Sequence, residues 1–173
     1  MQLRPTRKED LDQVMGIIGQ AMTYMKTAGI DQWQNGYPDR PTIEGDIATG
    51  IGYVAEDEDG SVVATVAVTF DGELSYRQIE DGAWLTDGAA YATVHRIAVR
   101  ANCKGRGVSS YILAQVEAMC RQRQVGSIRV DTHRDNRSMQ RLLQKNGFSR
   151  CGRIFLCGGA EDGHERIAFE KVL

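Results

Sequence analysis

The residues with chemistry to offer cluster between Val94 and Ser138. The centre of the cluster is the turn Lys104-Gly105-Arg106-Gly107-Val108-Ser109. A β-branched run, Val94-His95-Arg96-Ile97-Ala98-Val99, precedes it, and Val108, Ile112, Val116 and Met119 follow at helical spacing. The order is therefore strand, glycine-bearing loop, helix. Such a loop faces the unpaired N–H groups of a helix N-terminus, which attract phosphate through hydrogen bonds and the helix dipole. Gly105 and Gly107 permit close backbone approach, and Lys104 and Arg106 add charge for a phosphate-rich ligand. His95 lies on the strand leading in, and an unperturbed imidazole suits proton acceptance at neutral pH. Asp131 and His133 share a face of the following strand. Each of these side chains also has a plain alternative, a satisfied polar group at a sheet edge.

The loop lacks the Gly-Lys-Ser/Thr ending of a P-loop and the three-glycine dinucleotide fingerprint. A short glycine loop is equally compatible with a simple turn.

Composition bounds the function. The chain has 173 residues, 42% of them hydrophobic and only 3 of them proline, which predicts one globular domain spanning 1–173. Net charge is −2, which argues against nucleic acid as a main partner. No apolar run is long enough to span a bilayer and the N-terminus lacks a signal core, so a cytoplasmic protein without a membrane partner is expected. Cys103, Cys120, Cys151 and Cys157 form no C-x-x-C pair and read as free thiols, with no metal site.

The elements that must position these groups can be read in order. Gln2 to Arg4 predicts a first strand. Thr6 and Glu9 predict a capping box for a helix with the apolar stripe Leu11, Val14, Met15, Ile18, Met22 and Met25. Gly29 closes that region. Trp33 and Tyr37 lie in the loop Ile30 to Pro38, where they either line an acceptor pocket or plug the core. A short helix is predicted from Thr42 to about Ala48. Strands follow at Gly52–Glu56 and Ser61–Phe70, the second apolar on both faces. The long polar stretch Asp71 to Ala89, with Trp84, is a candidate for acceptor recognition. After the central strand, loop and helix come a strand from Ser127 to Thr132 and a helix from about Asn136 to Lys145. Gly147 is its predicted cap, and Phe148–Leu156 and Arg166–Val172 are closing strands. This pattern predicts an α/β or α+β domain with a mixed sheet.

The loop resembles the Gln/Arg-x-x-Gly-x-Gly/Ala signature of the GNAT superfamily of N-acetyltransferases. Lys104 falls in the Gln/Arg place, Gly107 on the central glycine and Ser109 on the final Gly/Ala. Asp135-Asn136-Arg137-Ser138-Met139 and Asn146-Gly147-Phe148 resemble the family's Asn-containing helix start and closing Gly-Phe, and the order of elements is similar over most of the chain. The resemblance implies a mixed, mostly antiparallel central sheet flanked by helices. It also implies acetyl-CoA as co-substrate, with no metal. Ile97, Ala98 and Val99 would meet the pantetheine arm. Lys104, Gly105, Arg106, Gly107, Val108, Ser109 and Ser110 would meet the pyrophosphate, and Asn136 and Ser138 the arm near its far end. The acceptor would be a primary amine on a small molecule or peptide, with Trp33, Tyr37 and Trp84 as candidate contacts. A homodimer through the terminal strands rests on the resemblance only.

Acetyl transfer to an amine needs a base, a polarised thioester oxygen and a stabilised leaving thiolate. His95 is the first candidate base, with Asp131 and His133 second. Many relatives carry a tyrosine acid five residues before the final phenylalanine, but here that position is Leu143. Ser138, Tyr111 or water would have to substitute, or the thiolate leaves unprotonated. Leu143 thus also favours a second expectation, a non-catalytic acyl-CoA-binding sensor or partner module.

Overall fold

The computed structural model describes residues 1–88 and 90–173. Ala89, the last residue of the expected acceptor loop, lies outside the described residues. In chain order the elements are β1 (Gln2–Pro5), α1 (Leu11–Thr27), α2 (Arg40–Thr49), β2 (Gly52–Glu56), β3 (Val62–Thr69), β4 (Tyr91–Val99), α3 (Val108–Gln122), β5 (Ser127–Thr132), α4 (Arg137–Lys145), β6 (Ser149–Phe155) and β7 (Glu165–Val172). The strands form one sheet in the order β1-β2-β3-β4-β5-β7-β6. Four neighbouring pairs, β1/β2, β2/β3, β5/β7 and β6/β7, are antiparallel. β4 and β5 run parallel, Tyr91 opposite Ser127 through Thr93 opposite Arg129. That pair is joined through α3, the crossover a parallel connection requires. The sheet is therefore mixed and mostly antiparallel, as the resemblance implied.

The chain forms two compact units, residues 1–68 with 95–115, and residues 69–94 with 116–173. In the first, α1 buries Val14, Ile17, Ile18 and Met25, with Leu11, Met15 and Met22 half-buried beside them. The stripe predicted from the spacing thus faces the core. Its start differs from the predicted capping box. A short 3-10 turn, Lys8–Asp10, precedes the helix, and Asp10 Oδ2 accepts from the Arg7 N–H at 2.7 Å. The capping carboxylate is therefore Asp10 and not Glu9, because the 3-10 turn shifts the first turn by one residue. Arg4 donates to both Asp10 oxygens (2.7 and 3.0 Å) and to Glu56 (2.6 Å), tying β1 to this turn and to β2. Asp39 caps α2, accepting from the Thr42 N–H at 3.0 Å. β3 is buried along all but its last residue, as its two apolar faces predicted.

In the second unit, Gly147 adopts φ 83° just past α4, where a left-handed residue ends a helix at little cost. The Phe148 N–H then returns to Leu143 O at 3.0 Å. The stretch 71–88 is tied down at several points. Tyr91 Oη accepts from the Glu73 N–H at 3.0 Å, and the backbones of Glu80 and Arg153 exchange two hydrogen bonds of 2.8 Å. Glu170 accepts from the Leu85 N–H (2.6 Å) and the Thr86 hydroxyl (2.5 Å). Arg129 donates to Glu170 (3.1 Å) and to Thr86 O (2.8 Å) while lying between the Trp84 and Tyr91 rings, 4.2 and 4.0 Å from their centroids. Two glycines allow the loop to touch β6. A Cβ on Gly82 would run into the Cys151 carbonyl oxygen, and one on Gly152 would stand 2.5 Å from Glu80 O. The cysteines are free; Cys103, Cys120 and Cys151 are buried and Cys157 is exposed. Among the described residues, no helix is long and apolar enough to cross a membrane.

Candidate functional site

The glycine loop belongs to the first unit. β4 ends at Val99, and the Arg100 N–H donates to Val63 O at 2.8 Å. A 3-10 turn at Ala101–Cys103 follows, its first N–H held by Gln20 Oε1 at 2.8 Å. Gly105 and Gly107 both adopt φ 79°, and a Cβ on either would meet nothing within 4 Å. The left-handed backbone calls for glycine here, and the space beside it is open. The first rung of α3 runs from the Tyr111 N–H to Gly107 O at 2.9 Å. The helix therefore offers no carbonyl to the amides of Val108 and Ser109, and their dipoles face the loop. Lys104 Nζ lies 4.0 Å above the Tyr24 ring. Arg106 lies 3.6 Å from Asp57 and 3.7 Å from Cys103 Sγ. Both cations are thus held at the loop by weak, partly exposed contacts. Ser110 is half-exposed, as are Ser109 and Ile97, whereas Ala98, Val99 and Val108 are buried.

His95 is half-buried on β4. Its neighbour Arg96 has φ 52°, a conformation that costs a branched-off side chain about 1–3 kcal/mol. The surroundings fix it there. Arg96 donates to both Asp46 oxygens (2.9 and 2.7 Å) and to Tyr37 Oη (2.7 Å). Burial pushes the Asp46 carboxyl up from its ordinary value, against the pull of Arg96. Tyr37 thereby supports the backbone beside His95. Trp33 is 9% exposed and belongs to the core cluster with Val14, Ile18 and Ile43.

The second unit carries the other candidates. Asp131 lies on β5, its side chain 16% exposed. Tyr76, fully within the protein at 2% exposure, donates its hydroxyl to Asp131 Oδ2 at 2.7 Å. Arg166 Nε stands 4.0 Å from Oδ1, and Arg166 Nη2 stands 2.9 Å from Glu161 Oε2. Burial pushes the Asp131 carboxyl up to about 6; the Tyr76 hydrogen bond and the Arg166 charge pull it down, and Glu73 and Glu161 push it further up. Burial and the Asp131 charge hold the Tyr76 phenol well above its ordinary value, so it stays a donor. His133 turns toward its own loop, its Nδ1 accepting from the Asp135 N–H at 3.2 Å. Asn136 caps α4, its Oδ1 accepting from the Met139 N–H at 3.2 Å, and Ser138 is exposed. Trp84 packs on Arg129 and donates from Nε1 to Tyr76 O at 2.9 Å. Leu143 is fully buried. Tyr111, one of the substitute acids, donates its hydroxyl to Met1 O at 3.2 Å.

Sequence reasoning missed Asp46, Arg129 and Arg166. They stand 50, 41 and 35 residues from their partners Arg96, Glu170 and Asp131, and nothing local in the sequence pairs them. The usable signal was charge inside apolar strands, as in Ile128-Arg129-Val130 and Arg166-Ile167-Ala168, which demands a buried counter-charge.

Residues 20–148 match the model of the Acetyltransferase (GNAT) family. The chain belongs to that family. A GNAT-family acetyltransferase structure from Streptococcus agalactiae 2603 is 33% identical, covering 99% of this chain and 95% of that one at a TM-score of 0.87. The Bacillus subtilis (strain 168) protein YwnH, whose name assigns it provisionally as a phosphinothricin acetyltransferase, is 25% identical over 88% of this chain and 86% of its own length. A ribosomal-protein-alanine N-acetyltransferase from Brucella melitensis shares the fold, with 19% identity, full coverage of both chains and a TM-score of 0.68.

Proposed function

We infer that the protein transfers the acetyl group of acetyl-CoA to a primary amine by direct attack in a ternary complex, and that the amine is carried by a small molecule. The observation that supports the reading most is the loop 104–110. Two left-handed glycines border open space at the mouth of a helix, at the place where the family signature falls. The N–H groups of Val108 and Ser109, with Lys104 and Arg106, suit a diphosphate. The backbone of Ile97 to Val99 suits an amide-bearing arm. The name of the Bacillus relative favours a small amine over a peptide.

In this reading the acetyl thioester supplies an activated carbonyl carbon. The amine nitrogen bonds to that carbon and the C–S bond breaks, the electron pair leaving on sulfur, while the nitrogen's surplus proton passes to the thiolate or to solvent to leave the neutral amide. The incoming ammonium must first lose a proton. Asp131 is the acceptor its surroundings favour, since a carboxylate titrating near 6 is ionised at neutral pH yet more basic than an ordinary one. His95 and His133 are the other acceptors, each tested by replacement with glutamine. Asn136 and Ser138 have arm-contacting roles by family resemblance. With Leu143 buried in the tyrosine position, no side-chain acid is assigned, and a thiol with pKa near 8.5 leaves readily without one.

The same buried Leu143 favours the second reading, an acyl-CoA-binding sensor. Thiol release from acetyl-CoA across a panel of amines, phosphinothricin and amino acids included, separates the two. Amine-dependent turnover is the expected result, and Gly107→Ala raises the KM for acetyl-CoA at least about tenfold through its φ penalty and lost space. Tight CoA binding with no turnover on any amine would leave the sensor reading.

A further inference from the structure

We propose that Tyr76 is a positioning residue for proton transfer, its hydroxyl fixing the Asp131 carboxylate so that Oδ1 takes the proton of the incoming ammonium. This rests on the reading of Asp131 as the proton acceptor. In the step, an ammonium N–H bond breaks, its electron pair stays on nitrogen, and the proton bonds to Asp131 Oδ1; Tyr76 keeps its own proton throughout.

The geometry supports a fixed donor. Tyr76 stands in the 3-10 turn Leu74–Tyr76 and reaches Asp131 Oδ2 at 2.7 Å. Its ring is packed by Trp84 and Tyr91, at centroid distances of 5.0 and 6.2 Å, and its carbonyl is held by Trp84 Nε1. The ring is therefore clamped from its own loop and from β4, and the hydroxyl meets one carboxylate oxygen only. The charged groups facing Asp131 are Arg166 from β7, Glu161 from the loop before it and Glu73 from the turn before Tyr76. Two carboxylates and one guanidinium surround a group that must still ionise in a buried place. The Tyr76 hydrogen bond is a short contact that favours the charged form, and it aims that form at the same time.

The test is the pH dependence of kcat/KM for a good amine. Tyr76→Phe is expected to move the acid limb upward by about one pH unit, since the hydrogen bond favouring the anion is gone. A fluorotyrosine at position 76 keeps the volume, donates more strongly and is expected to move the limb downward. An unmoved limb in both position-76 variants, while Asp131→Asn abolishes turnover, overturns the role of Tyr76. Full turnover in Asp131→Asn at every pH overturns the acceptor reading instead. Thermal melting of each variant separates a shifted limb from a lost fold.

Discussion

Arg96, with Trp33, is one of the non-glycine residues of the first unit held at a positive φ. It sits mid-strand at a φ that glycine would adopt freely, and it stays because Asp46 and Tyr37 grip its guanidinium. Asp46 and Arg96 are both largely buried, with side chains 9% and 12% exposed. A buried pair of this kind contributes little net stability, yet removing one member strands the other. Asp46→Ala is therefore expected to cost about 3–5 kcal/mol in urea denaturation. Adding Arg96→Gly to that variant removes both the stranded charge and the backbone strain, and should return more than half of the loss. If the double variant is less stable than Asp46→Ala alone, the strain assigned to Arg96 is absent.

At the scale of elements, the stretch 71–88 has the length of an acceptor loop but the bonding of a fixed one. Glu170 and Arg129 hold one end, Arg153 the middle, and Tyr91 the start. Glycine makes the middle contact feasible, since Gly82 lies against the Cys151 carbonyl with no room for a methyl group. Gly82→Ala should push the loop off β6 and lower stability by about 1–3 kcal/mol. Calorimetry reads that loss. The expected companion is a raised KM for the amine with the KM for acetyl-CoA unchanged, because the glycine loop 104–110 proposed to hold acetyl-CoA belongs to the other unit. An equal rise in both constants would contradict the separation of roles.

For the whole molecule, the carboxylates pull stability in opposite directions. The Arg4 hydrogen bond holds Asp10 below its ordinary value. Glu170 is also held low, where bonds from Thr86, Ser127 and Arg129 outweigh its burial. The stability these two contribute is present above the ordinary carboxylate range and is lost as pH falls through their depressed values. Asp131 has the reverse sign. Its contribution is fully present below its ordinary 3.8 and is lost as pH rises through about 6, a difference of at most about 3 kcal/mol. Melting temperature should therefore peak between about pH 4 and 6, and Asp131→Asn should flatten the alkaline side of that peak. A wild-type curve still rising from pH 6 to 8 would rule this out. Much of this fold was legible in the sequence. β2 and β5 have the predicted bounds, and β3 and α4 fall within a residue of expectation, because each carries its own periodicity and flanking glycine. The glycine loop was legible for the same reason: strand, glycines and helix are consecutive in the chain. The Tyr76–Asp131 hydrogen bond was not, since its partners are 55 residues apart and each alone reads as an ordinary polar residue.

The uneven burial of the cysteines has a practical side. Cys157 alone is open to a maleimide dye, and its backbone N–H rests on Ser75 Oγ at 3.0 Å, one residue from Tyr76. The wild-type chain thus takes a single fluorophore beside the 3-10 turn Leu74–Tyr76, with no need to engineer the remaining thiols away. The same sulfhydryl would also titrate with a disulfide chromogen, giving every such assay of CoA release a fixed one-equivalent baseline from the protein itself.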